Sequence, residues 1–129
     1  MLIALLLAFV ALGVTKAQAI VVVDGRPVGI TFGQTARITA ANTGTRAFVI
    51  NWTILDSAGA VLGRLDGQVI EPGKMMSFDL NADDIIRESN RIEIRVVLSG
   101  DSLRGLLAST EVFENATGKT TVFLGGPDT

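Results

Sequence analysis

Oxygen-bearing side chains fall at alternate positions in Asp79-Leu80-Asn81-Ala82-Asp83, with Asp84 next in line. That spacing copies the first half of a calcium-binding loop, in which alternating carboxylates and amides turn toward one cation. The second half departs from the pattern. Its sixth position should be glycine and is Asp84, and its twelfth should be a bidentate glutamate and is Asn90. The segment therefore reads as a capped helical turn with Asn81 as N-cap. A looser calcium site at Asp79, Asn81, Asp83 and Asp84 stays open as an alternative.

Asp83-Asp84 and the pair Glu111/Glu114 are the nearest thing to acid/base carboxylates. Nothing in their spacing sets one across a cleft from another, so they read as solvated turn and strand charges. Gly118-Lys119-Thr120 resembles the end of a phosphate loop, but that loop needs a glycine where Phe113 stands and a helix afterwards. A hairpin turn with a left-handed glycine accounts for the same residues. Trp52 could stack on a sugar ring, yet it shares its parity with Phe48, Ile50 and Ile54 and so belongs to the core. Asn51-Trp52-Thr53 and Asn115-Ala116-Thr117 match the glycosylation pattern, which matters only in a eukaryotic secretory pathway.

The chain has no histidine and no cysteine. Without histidine, nucleophilic triads and most zinc sites are excluded. Without cysteine, stability must come from core burial. No residue is assigned a catalytic, cofactor-binding or metal-binding role, no cofactor is expected, and the chain reads as a protein that is not an enzyme.

The elements that would position these side chains follow a period of two from Ile20 onward, broken by turn residues, which is the pattern of an all-β sandwich or barrel. Ile20 to Val23 starts a strand that ends at Asp24-Gly25-Arg26-Pro27, and the proline suits a sheet edge. A second strand runs from about Thr35 to Asn42. Phe48 to Leu55 follows, with Phe48, Ile50, Trp52 and Ile54 inward. Asp56-Ser57-Ala58-Gly59 turns into Ala60 to Leu65, and a further strand ends at Glu71-Pro72-Gly73-Lys74, a type II turn. Met76, Phe78 and Leu80 alternate before the capped turn. In Arg91 to Leu98 the residues Ile92, Ile94, Val96 and Leu98 face inward. Ser102 to Leu107 is ambiguous, and a last hairpin joins Ser109–Glu114 to Lys119–Leu124 through Asn115-Ala116-Thr117-Gly118. The layout is one domain of seven or eight mostly antiparallel strands with a central tryptophan, an immunoglobulin-like β-sandwich.

Before Ile20 the sequence changes character. Met1 to Val14 is apolar, Thr15 and Lys16 interrupt it, and Ala17-Gln18-Ala19 has the small-x-small form that signal peptidases cut after. The apolar run is short of the roughly 20 residues that cross a bilayer. We expect a cleaved signal peptide over 1–19, a sandwich domain over 20–124 and a flexible tail over 125–129, the mature protein being periplasmic or secreted. Loss of Lys16 makes the mature chain slightly more acidic than the −2 of the whole, with no cationic footprint for nucleic acid.

Ile38-Thr39-Ala40-Ala41-Asn42-Thr43-Gly44, Asp56-Ser57-Ala58-Gly59-Ala60-Val61-Leu62 and Ile70-Glu71-Pro72-Gly73-Lys74 together resemble the turn rhythm of bacterial extracellular Ig-like modules, cell-adhesion-related domains included. The blocks from Phe32 to Arg37 and from Glu111 to Thr121 are similar to a group of small, exported, uncharacterised bacterial proteins. That resemblance implies compartment and fold and carries no activity.

The function expected is that of a non-enzymatic exported interaction or structural module. Its partner would be a protein or a cell-envelope component, with no nucleic acid and no stable membrane insertion after cleavage. One alternative is a small protease inhibitor with Arg46, Arg64 or the Ser99–Arg104 loop as its tip. Another is a calcium- or carbohydrate-binding accessory domain.

Overall fold

The computed structural model describes residues 21–86 and 90–125. The expected leader, Ile20 and all of the expected tail but Gly125 lie outside the described residues. The described chain is all-β, arranged as two antiparallel sheets face to face, and no helix in it is long and apolar enough to cross a membrane. Its strands are β1 (Val21–Asp24), β2 (Val28–Thr31), β3 (Gln34–Asn42), β4 (Phe48–Asp56), β5 (Val61–Ile70), β6 (Met75–Asn81), β7 (Arg91–Gly100), β8 (Leu106–Glu114) and β9 (Thr120–Gly125). The turn Ala82–Asp84 between β6 and β7 is 3-10 helical and carries the chain from one sheet to the other.

The first sheet has the order β1-β7-β4-β5, with β2 also on β7. β1 pairs with the end of β7 and β2 with its beginning, so the two make one edge strand split at Pro27. The proline lies where no ladder hydrogen bond is required of it. The second sheet has the order β6-β3-β8-β9.

Three expectations change in detail. Val28–Thr31, passed over in the pattern, is a strand with Val28 and Ile30 buried. The two strands expected between Ala60 and Glu71 are one, β5, whose pairing with β4 shifts register around Asp66 and Gly67. That bulge interrupts the alternation and makes one strand look like two. Gly125 belongs to β9, opposite Ser109, and not to a tail.

Turn chemistry fixes the connections. Gly59 at φ 83° closes the β4–β5 hairpin, where Asp56 accepts from the backbone N–H of Ala58 and Ala60. In the Glu71–Lys74 turn Gly73 sits at φ 77° and the Lys74 N–H donates to the Glu71 carbonyl at 3.0 Å, as the type II reading requires.

The core lies between the sheets. Phe48, Ile50, Trp52 and Ile54 of β4 and Ile94, Val96 and Leu98 of β7 meet Ala36, Ile38, Leu80 and Val112 from the second sheet. Trp52 is fully buried, with its ring tilted 49° against Phe78 at 6.1 Å between centroids.

Candidate functional site

Asn81 caps the 3-10 turn as the sequence indicates, accepting from the Asp83 N–H at 3.0 Å. Of the side chains that the alternative calcium site would use, Asp79, Asn81 and Asp83 have protein partners. Asp79 on β6 makes a two-pronged ion pair with Arg37 on β3, both contacts at 2.8 Å. Those hydrogen bonds, and then the charge of Asp79, raise the Arg37 guanidinium further above its ordinary range. Asp83 accepts from the Gly33 N–H at 2.6 Å and from the Asn115 amide at 3.2 Å. The Asn115 amide also donates to Asn81, and its oxygen accepts from Thr35. This polar cluster ties the β2–β3 turn, the start of β3, the 3-10 turn and the β8–β9 turn together. Among the described residues no group of three or more acidic side chains converges on a point that could hold a metal ion.

Glu111 accepts from the Thr120 hydroxyl and Glu114 from the Thr117 hydroxyl, so both are engaged within the β8–β9 hairpin. Gly118, at φ 72°, donates to the Glu114 carbonyl at 2.7 Å in a hairpin turn, and strand β9 follows. Of the expected inhibitor tips, Arg64 lies within β5 and pairs with Asp66 at 3.0 Å. Arg46 lies in the β3–β4 connection, where its carbonyl accepts from the Asn42 amide at 2.7 Å. Ser99 belongs to β7, and Leu103 in the connection that follows is buried.

What the fold assembles most distinctively is an unfinished side. The inward row of the second sheet reads Leu80, Ala36, Val112 and Val122 across β6, β3, β8 and β9. Exposure along it is 7, 0, 1 and then 36 %. Val122 points into the sandwich with no strand beyond it among the described residues. Facing it across the gap is β2, the edge of the other sheet. Between them opens a groove of about 430 Å³, with Val28, Val122 and Leu124 among its apolar lining. Arg91 and Glu93, paired at 2.9 Å, stand at its rim, and Arg91 lies across Gly29, whose missing side chain leaves room for it.

The opposite side is closed only in part, since Leu65 of β5, opposite buried Trp52, is 38 % exposed. A β-carbon at Gly63 would sit 3.3 Å from the Phe78 ring and 3.6 Å from Leu80, so β5 packs directly onto β6 across the sheets. Its edge strands also carry Arg64, Asp66 and Asp79 and a bulge, features that blunt a sheet edge against pairing. β9 has none of these charges. Thr120-Thr121-Val122-Phe123-Leu124-Gly125 has neither charge nor proline, its one irregularity lies near its start at Thr121, and Phe123 is 63 % exposed on its outer face. A run of β-formers without a charge is the sequence signal for such an edge.

Protein-family models, curated proteins and solved structures were all compared with the chain, and none of them matches it.

Proposed function

We propose that the protein is an exported, non-enzymatic interaction module that receives a β-strand from another polypeptide along β9, the strand's inward side chains entering the groove between β9 and β2. The observation that carries this reading is the core row that stops uncovered at Val122 while its three neighbours are buried. Strand addition satisfies the free main-chain groups of an edge and gives specificity through alternate side chains in a groove. The groove falls within the roughly 300–1,000 Å³ of clefts that bind specific ligands.

Export is supported by Ala17-Gln18-Ala19 after the short apolar run. The partner is then a protein or envelope component met outside the cytoplasm. The sandwich is immunoglobulin-like in the broad sense, on the strength of two packed antiparallel sheets around Trp52 on a central strand. It is a variant arrangement, since β8 and β9 continue the sheet of β3 while β7 pairs with β4.

A photo-cross-linking side chain at position 122 should capture a partner in cells, and the same group at position 69, on the β5 edge, should not. Equal capture at both positions would end the strand-addition reading. Turnover of any substrate by purified protein in a broad hydrolase screen would end the non-enzymatic one.

A further inference from the structure

We infer that the strand received by β9 is the β9 of a second copy, paired antiparallel about a two-fold axis through Phe123. The inference rests on the strand-addition reading and names its partner. A strand that meets its own copy must be tolerant of itself, because each residue faces a residue from the same short list. β9 satisfies this: no charge lies between Thr120 and Gly125, so no like charges are set opposite one another. Its neighbour β8 carries Glu111, whose carboxylate accepts from the Thr120 hydroxyl at the start of β9.

The register follows from the parity of the side chains. With Phe123 opposite Phe123 of the second copy, Val122 meets Leu124 and Thr121 meets Gly125. Val122 and Leu124 are the inward residues of β9, opposite buried Val112 and Thr110, so each uncovered valine gains an apolar neighbour on the inner face. The two Phe123 rings, exposed on the outer face, come side by side as a cross-strand aromatic pair. The two four-stranded sheets then run on as one. A self-complementary contact of this kind closes on itself and leaves no free β9 edge to propagate into fibres. The β5 and β6 edges, with Arg64, Asp66 and Asp79, do not offer this match.

The test uses the charge that β9 lacks. Purified protein, as recovered from the expressing cell, should run in light-scattering chromatography at twice the monomer mass, falling toward the monomer on dilution. Phe123→Lys and Phe123→Asp should each weaken association by about ten-fold or more, since the aromatic pair is lost and like charges face each other. Position 123 is exposed, so both variants should keep the wild-type melting curve at concentrations where all are monomeric. Mixing the two variants in equal amounts should restore the dimer, because lysine then faces aspartate. Failure of the mixture to associate while the wild type dimerises overturns the register. A monomeric wild type overturns self-pairing altogether. Strand addition is read separately, by hydrogen exchange of the β9 amides during titration with a synthetic peptide of alternating valine and threonine. Protection of those amides in a monomeric protein removes the second copy and keeps the edge; no protection removes both.

Discussion

Trp52 fills the centre of the sandwich, and its indole N–H has no hydrogen-bond partner within the described residues. Burying an unpartnered donor costs about 1–3 kcal/mol, so the ring stabilises by volume and apolar contact while its nitrogen works against it. The two contributions separate by substitution. Trp52→Ala leaves a large cavity and should cost roughly 3–5 kcal/mol, whereas Trp52→Phe also removes the orphan donor and should cost about 1–2 kcal/mol. Urea unfolding of both variants checks the order; equal losses would mean that the donor is satisfied in solution. At the surface, Asp79 is already neutralised by Arg37, and Asp83 is engaged with Gly33 and Asn115. Addition of millimolar calcium should therefore leave the melting temperature unchanged. A rise of several degrees would show that these side chains let go of their partners to bind the ion.

The ends of β3 show how short polar side chains hold whole elements. Asn42, 1 % exposed, donates to the Arg46 and Ile70 carbonyls at 2.7 and 2.9 Å and accepts from the Gly44 N–H at 2.9 Å. It fastens the β3–β4 connection and the end of β5 at once, where Gly105, at φ 85°, packs its backbone against Gly44. Asn42→Ala strands two carbonyls and an amide, and should cost at least about 3 kcal/mol, measured by chemical denaturation. A loss below 1 kcal/mol would mean that water takes over these bonds. In the sequence Asn42 is visible only as a turn residue after an alternating strand, because its partners lie up to 28 residues away. The same limit applies to Asn115 and Asp83, whose meeting depends on sheet order. What the sequence does disclose is whatever alternation and local turn rules encode: the inward faces of β4 and β7, the Asn81 cap and the Glu71–Lys74 turn. It hides β2, a four-residue strand just after a proline, and it divides β5 at a bulge that breaks the period. The open edge was legible in principle from the uncharged run Thr120–Gly125. Which strands stand beside β9 was not, since pairing order is non-local.

At the scale of the molecule, the second sheet depends on strands distant in sequence. β3 joins β6 on one side and β8 on the other, and its pairing with β8 runs without interruption from Gln34 opposite Glu114 to Asn42 opposite Leu106. Such non-local pairing has to form before its burial rewards the chain, which places folding in the range of milliseconds to seconds. β8 also supplies Val112 to the core, while β9 adds only the partly buried Leu124 and the more exposed Val122 at the margin. Two truncations should therefore behave differently. A chain ended after Gly105 lacks β8 and leaves β3 with a bare edge and a core missing one wall, so it should show no cooperative melting and no near-ultraviolet signal from Trp52. A chain ended after Gly118 keeps β8 and Asn115 with its bonds to Thr35, Asn81 and Asp83. It loses the partial burial of two aliphatic side chains, roughly 2–4 kcal/mol, and should still melt in one transition at a lower temperature. Loss of the transition in this longer truncation would mean that β9 is structural, and that the groove beside it belongs to the core of the fold more than to its edge.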